Sequence, residues 1–144
     1  MIIDQQLLDT LSAQAKALPR LRQNFDLRNS ENDNSQRMLN ALEPGTAMPI
    51  HRHRKSSESI AIIRGKMVMR LYDDNGNVTD EFVMAPISTL SSPSNLSNSS
   101  NLSVPMVHVE AGQWHSLEVL EEGTVVFEAK DGKYEPLPEE DIMR

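Results

Sequence analysis

Two imidazoles and a carboxylate crowd one short stretch of the chain. Between Gly45 and Gly65 the sequence reads G-T-A-M-P-I-H-R-H-R-K-S-S-E-S-I-A-I-I-R-G. On an extended strand, residues two apart point the same way. His51 and His53 therefore present two imidazoles to one side, with Arg52 and Arg54 on the other. Ser56 and Ser57 permit a turn, and Glu58 opens the next run, where it shares a face with Ile60 and Ile62. A hairpin brings two neutral nitrogens and one carboxylate together, a donor set suited to a divalent transition metal. A second stretch, V-H-V-E-A-G-Q-W-H-S-L-E-V from Val107 to Val119, supplies His115 at the start of an apolar run, three residues after Gly112.

Three histidines and one carboxylate fill four positions, so a six-coordinate ion keeps two for water, substrate or oxygen. Three chemistries stay open: a metal-bound hydroxide as base in sugar isomerisation or epimerisation, ferrous iron activating oxygen, or a metal that holds a ligand's vicinal oxygens without turnover. A polar pocket without metal is the alternative to all three. No second acid/base pair stands out, since the tyrosines are Tyr72 and Tyr134 alone. His108 precedes the Ala111-Gly112 turn and is read as a non-ligand; Trp114 and Glu118 are expected to face away from the metal. The donor types admit zinc, iron, manganese or nickel. Cysteine is absent, which excludes disulfides and thiolate ligands.

The elements that must carry these residues can be read in outline. Residues 4–17 form an amphipathic helix, with Leu7, Leu8, Leu11 and Ala15 at helical spacing, Asp4 as cap and Pro19 as stop; it covers the sheet or an oligomer partner. Residues 20–37 are polar and aperiodic and contain Arg20, Arg22, Arg28 and Arg37. Guanidinium groups match carboxylate and phosphate geometry, so this stretch is either an arm that folds over the site and holds an anionic ligand, or an exposed linker paired with Asp26, Glu31 and Asp33. Short β-like runs follow at 37–42, 48–54, 58–64, 66–72, 78–84, 106–110, 114–120 and 124–129. Turn signals separate them, with Asn75-Gly76 a two-residue hairpin signal. Met67, Met69 and Leu71 share one face, as do Val125, Phe127 and Ala129, and both sets are read as core. Many short strands with regular turns predict an all-β sandwich or barrel. Ser88–Ser103 is a low-complexity Ser/Asn stretch, expected to be a mobile loop, read first as a passive insertion and second as a lid near the site mouth. The tail from Tyr134 is expected to pack along the surface.

The two motif stretches resemble those of the cupins. Gly45, His51, His53, Glu58 and Gly65 fall on every position of the first cupin motif. In the second, Gly112 and His115 match, while Val104, Glu110 and Val119 replace its Gly, Pro and Asn. With the opening I-I-D-x-x-L-L and the segment from Pro19 to Arg28, most of the chain is similar to the WbuC-type cupin metalloproteins. That resemblance implies a double-stranded β-helix (jelly roll) over residues 37–144, with a helix and arm over residues 1–36 packed on it. It also implies metal ligands at His51, His53, Glu58 and His115, a homodimer, and a setting in bacterial surface-polysaccharide (O-antigen) metabolism.

Bulk properties narrow the partners. The chain has 144 residues, 38% hydrophobic and 24% charged, which suits one domain with a core. The net charge of −7 argues against nucleic acid. It is unevenly spread: residues 1–70 carry 11 Lys/Arg against 7 Asp/Glu, and residues 71–144 carry 3 against 14. The basic half holds the first three ligands, so the expected partner is a small anionic molecule, such as a sugar derivative. No apolar run approaches the ~20 residues of a membrane helix. The opening M-I-I-D-Q-Q lacks a signal-peptide pattern, so the expected location is cytoplasmic.

Overall fold

The computed structural model describes residues 1–87 and 102–144. The Ser88–Ser103 loop reading therefore falls, except for its last two residues, outside the described residues. Helix α1 runs Gln5–Ala17, its first turn closed by the Asp4 carboxylate, which accepts from the Leu7 N–H at 3.0 Å. The strands are β1 Arg22–Asp26, β2 Ser35–Leu42, β3 Ile50–His51, β4 Glu58–Arg64, β5 Met67–Tyr72, β6 Val78–Met84, β7 Met106–Val109, β8 Trp114–Val119, β9 Thr124–Asp131 and β10 Ile142–Met143. They form two five-stranded sheets, ordered β1-β2-β9-β4-β7 and β10-β3-β8-β5-β6. Among the described residues, the pairings between these strands are antiparallel, with one isolated parallel bridge from Met84 to Val104. This is the expected all-β jelly roll with a helix at its start.

Strict alternation sorts the side chains. On β9, Val126 enters the core between the sheets, while Val125 and Phe127 face outward onto α1. The inter-sheet core contains Leu42, Ile60, Ile62, Met67, Met69, Met84, Leu117 and Val119. A second cluster fixes the helix to the outside of the first sheet: Leu8, Leu11 and Ala15 against Leu39, Ala41 and Val125. The helix thus covers the sheet of its own chain. A bulge after Ile62 shifts the β4–β9 register, pairing Arg64 with Val125 on the outer face. From there Arg64 donates to Asp9 (2.6 Å), to the Ser12 hydroxyl (2.9 Å) and to the Gly123 carbonyl (2.8 Å), tying helix to sheet.

Four local expectations need correction. Residues 22–26 are an edge strand rather than an aperiodic arm. The pattern was hidden because Phe25 alone packs on the helix cluster, while Arg22 and Asn24 turn to a polar cavity. The run 48–54 is strand only at Ile50–His51, interrupted on one side by Pro49, which has no N–H to give. The β5–β6 hairpin is wider than a two-residue turn, with Tyr72 paired to Val78. There the Asp73 carboxylate accepts from the Asn75 N–H (2.9 Å), the Asn77 N–H (2.9 Å) and the Asn77 amide (3.0 Å), which favours the longer loop. Finally, the tail, largely exposed over residues 134–140, ends in a strand the sequence did not signal, β10, which joins the edge of the second sheet.

Gly65 closes the β4–β5 turn at φ 90°, and a Cβ there would meet Thr124 Oγ1 at 2.2 Å and its Cα at 2.6 Å. Gly112 has a similar φ of 85° but open space around it. Gly65→Ala is expected to lose at least ~2 kcal/mol in urea unfolding, combining left-handed strain with overpacking, against ~1 kcal/mol for Gly112→Ala. Equal losses would remove the packing role of Gly65.

Candidate metal centre

The four expected ligands come from both sheets. His51 and His53 lie on and just beyond β3, and His51 is registered directly opposite His115 of β8. Glu58 begins β4 in the facing sheet. Their donor atoms all lie within 4.8 Å of one another, and His51, Glu58 and His115 are buried. Ring centroids are 4.3 Å apart for His51 and His115, 5.2 Å for His51 and His53, and 5.9 Å for His53 and His115. Ligands ~2.0–2.2 Å from an ion span up to ~4.3 Å across it, so a small contraction closes the set. The turn that delivers His115 is tied to the His-x-His strand, since the Gly112 N–H donates to the His53 carbonyl at 2.8 Å.

Two carbonyls decide which nitrogens face inward. His51 Nδ1 lies 2.9 Å from the Pro49 carbonyl and His115 Nδ1 2.9 Å from the Gln113 carbonyl. A carbonyl accepts, so each Nδ1 must carry the proton, and each Nε2 then keeps a lone pair. His115 Nε2 is buried, lies 2.6 Å from Glu58 Oε1, and makes no hydrogen bond. A lone pair facing a carboxylate at that distance is the arrangement a shared divalent cation accommodates, so these residues fit a metal. Burial drives the His51 imidazole down to about 4, helped by neighbouring His115. Burial and the Lys130 charge do the same to His53, also to about 4. Burial opposes the charge on Glu58, while the Lys130 ammonium 3.1 Å from Oε2 favours it, and the carboxyl lies below its ordinary range. At neutral pH His51 and His53 are therefore neutral and Glu58 ionised, the ligand-ready forms.

Around the ligands lies a cavity of about 310 Å³. Its apolar wall includes Leu42, Met48, Ile60 and Leu117, and its polar wall is formed by Arg22, Asn24, Asn40, Glu128, Lys130 and Tyr134. The four expected arginines separate here. Arg22 lines the cavity, with Nη1 3.0 Å from Met48 Sδ. Arg28 pairs with Asp26 at 2.9 Å and lines an adjoining cavity of about 260 Å³ that shares Asn24, Lys130 and Tyr134. Arg20 donates to the Arg22 carbonyl, and Arg37 pairs with Asp33 at 2.9 Å; neither lines the metal cavity. His108 bonds the Ser59 hydroxyl away from the ligands, Trp114 stacks under Arg52, and Glu118 pairs with Arg70.

Two residues escaped the sequence reading. Lys130 donates to Glu58 Oε2 at 3.1 Å and to His53 Nε2 at 3.1 Å. Glu128, two residues earlier on the same face, is pushed up to about 7 by burial and by the charge of Glu58. It is the second acid/base group that the sequence did not disclose. Alternation with Val126 was the available signal; a Glu and a Lys at the end of a strand ordinarily mark a solvated face.

A family model described as "Domain of unknown function (DUF6016)" matches residues 3–84. No curated protein matches the sequence. Solved structures do match. CapF with the inhibitor 3-isopropenyl-tropolone gives a TM-score of 0.56 at 19% identity, over 78% of this chain and 28% of that one. CapF of Staphylococcus aureus is described as a capsular polysaccharide assembling protein. Bacillus subtilis oxalate decarboxylase, with Mn(II) centres, gives 0.53 at 18% identity, over 80% and 26%. KdgF from Halomonas sp. gives 0.52 at 13% identity, over 81% and 84%. The chain thus spans little more than a quarter of the first two proteins and most of the third. These neighbours are cupins, and the fold is a cupin fold.

Two outcomes test the electrostatics. Because burial holds His51 and His53 near 4, the imidazole NMR shifts of these two residues in the metal-free protein should stay constant from pH 8 to about 5. A titration of either ring centred near 6.5 would contradict this. Glu128 ionises near 4.5 when unfolded and near 7 when folded, so the stability of its protonated form is lost as pH rises between the two. Urea midpoints at pH 5 and 7.5 should therefore diverge less for Glu128→Gln than for wild type; parallel curves would remove the buried-acid assignment.

Proposed function

We propose that this chain, which belongs to the family described as a domain of unknown function (DUF6016), is a metal-binding cupin acting on a small anionic sugar derivative. One observation carries the reading: the cavity holding the four metal-ligand candidates also holds two cations, Arg22 and Lys130. Their charges exceed what Glu58 offsets once a divalent ion is present, so the cavity favours an anion. Asn24 and Asn40, whose side chains bond each other at 3.2 Å, supply the amide donors and acceptors that hydroxyl groups require.

A divalent metal held by His51, His53, Glu58 and His115 would supply Lewis-acid polarisation of a ligand oxygen. The chain's own residues supply the rest of the proposed isomerisation. Arg22 and Lys130 hold the anionic group, and the apolar wall of Leu42, Ile60 and Leu117 limits water. Glu128 exchanges a proton with the ligand at its carboxyl oxygen, a task for which its position near neutrality suits it. The wider setting proposed is bacterial surface-polysaccharide metabolism of the WbuC type, supported by the sequence resemblance and by the fold likeness to CapF.

The test is calorimetry of zinc- and manganese-loaded protein with sugar acids, sugar phosphates and the parent neutral sugars. Anionic sugars should bind and neutral ones should not. Arg22→Met should weaken the anion at least about tenfold, the scale of a lost charge-assisted contact, with metal content unchanged. Equal binding of neutral and anionic sugars would sink the reading.

A further inference from the structure

The outer side of the metal strand carries its own cluster. Arg52 sits between His51 and His53, and strand alternation turns it away from them. There its Nε donates to Asp141 Oδ1 at 2.9 Å, and its guanidinium lies 4.3 Å from the centroid of the Trp114 ring. Trp114 immediately precedes His115, and its indole N–H donates to Asp74 at 3.0 Å. Arg54, the residue after His53, donates to the same Asp141 oxygen at 2.5 Å. The Arg52 N–H in turn donates to the Asp141 carbonyl at 3.1 Å, where β10 begins its pairing with Ile50 and His51. The Asp141 carboxylate is 5% exposed. One buried anion thus grips the residues flanking two histidines and, through Arg52, the residue next to the third.

We propose that Asp141 is the positioning residue of the metal centre, setting the His51, His53 and His115 backbones to the separation a metal requires. This rests on the metal-binding reading above. It gives the tail a role beyond packing: residues 132–141 cross from β9 to β10, so the segment that carries Asp141 also carries Tyr134 to the rim of the metal cavity. Asp141 touches no donor atom itself. Its effect passes through Arg52 and Arg54, as supporting partners of metal ligands generally act through orientation.

Cobalt(II) titration tests this, because its visible absorption reports coordination geometry independently of turnover. Asp141→Asn should weaken cobalt binding about 10- to 100-fold, the range for lost supporting contacts, and alter the visible band. Arg54→Gln, at a side chain 48% exposed and so tolerant of change, should move both in the same direction. Should Asp141→Asn fail to fold, Arg54→Gln decides alone. A variant with a lower melting temperature but wild-type cobalt affinity and spectrum would overturn the proposal and leave Asp141 as fold support. Absence of cobalt binding by the wild type would instead sink the metal reading itself.

Discussion

The hydrogen bonds from His51 to the Pro49 carbonyl and from His115 to the Gln113 carbonyl are the constraint on which the site depends. Each imidazole is locked by the carbonyl two residues upstream. That fixes the ring's tautomer and aims its lone pair between the sheets. Without it, a buried histidine could present a proton where a cation must sit. Both histidines lie opposite each other in register, so one backbone ladder sets both rings. Burial then keeps His51 neutral, and Glu58 supplies the negative charge from the facing sheet.

The rest of the interior answers to that charge. A sandwich core is ordinarily apolar from end to end. Here Leu42, Ile60 and Leu117 mark a boundary, beyond which Asn24, Asn40, Glu128 and Lys130 replace hydrophobic side chains. Lys130 is accommodated there because it pairs with Glu58 and His53, while Asn24, exposed at the rim, bonds Asn40. The apolar half holds the sheets together, and the polar half is left available for a ligand.

The sequence made the fold class, the helix and the four metal-ligand candidates legible, because each rests on spacing. Alternation marked Glu58 with Ile60 and Ile62, and helical period marked Leu8, Leu11 and Ala15. Other residues were invisible for a common reason. β1 carries Arg22, Asn24 and Asp26 alternating about Phe25, and β9 ends in Glu128 and Lys130. Polar residues on a strand read as solvent-facing, since nothing local reveals that their face closes over a cavity. Asp141 was equally opaque: in an acidic tail, its burial depends on two arginines about ninety residues away. Arg64 also needed the structure, because a bulge, unmarked by sequence, turns it to the helix.

The strand order carries a consequence for folding autonomy. Within residues 3–84, the segment matched by the family model, β2 and β4 belong to the same sheet yet never touch; β9 lies between them. β3 and β5 are likewise joined through β8. A fragment limited to that segment would hold one hairpin backed by the helix, β1-β2, one isolated hairpin, β5-β6, and two strands with no neighbour, and an isolated hairpin is marginal in water. The matched segment is thus a sequence unit rather than an independent folding unit. Both sheets close when the two later strands are threaded between earlier ones, an assembly governed by distant pairings and expected to be slow relative to helical domains.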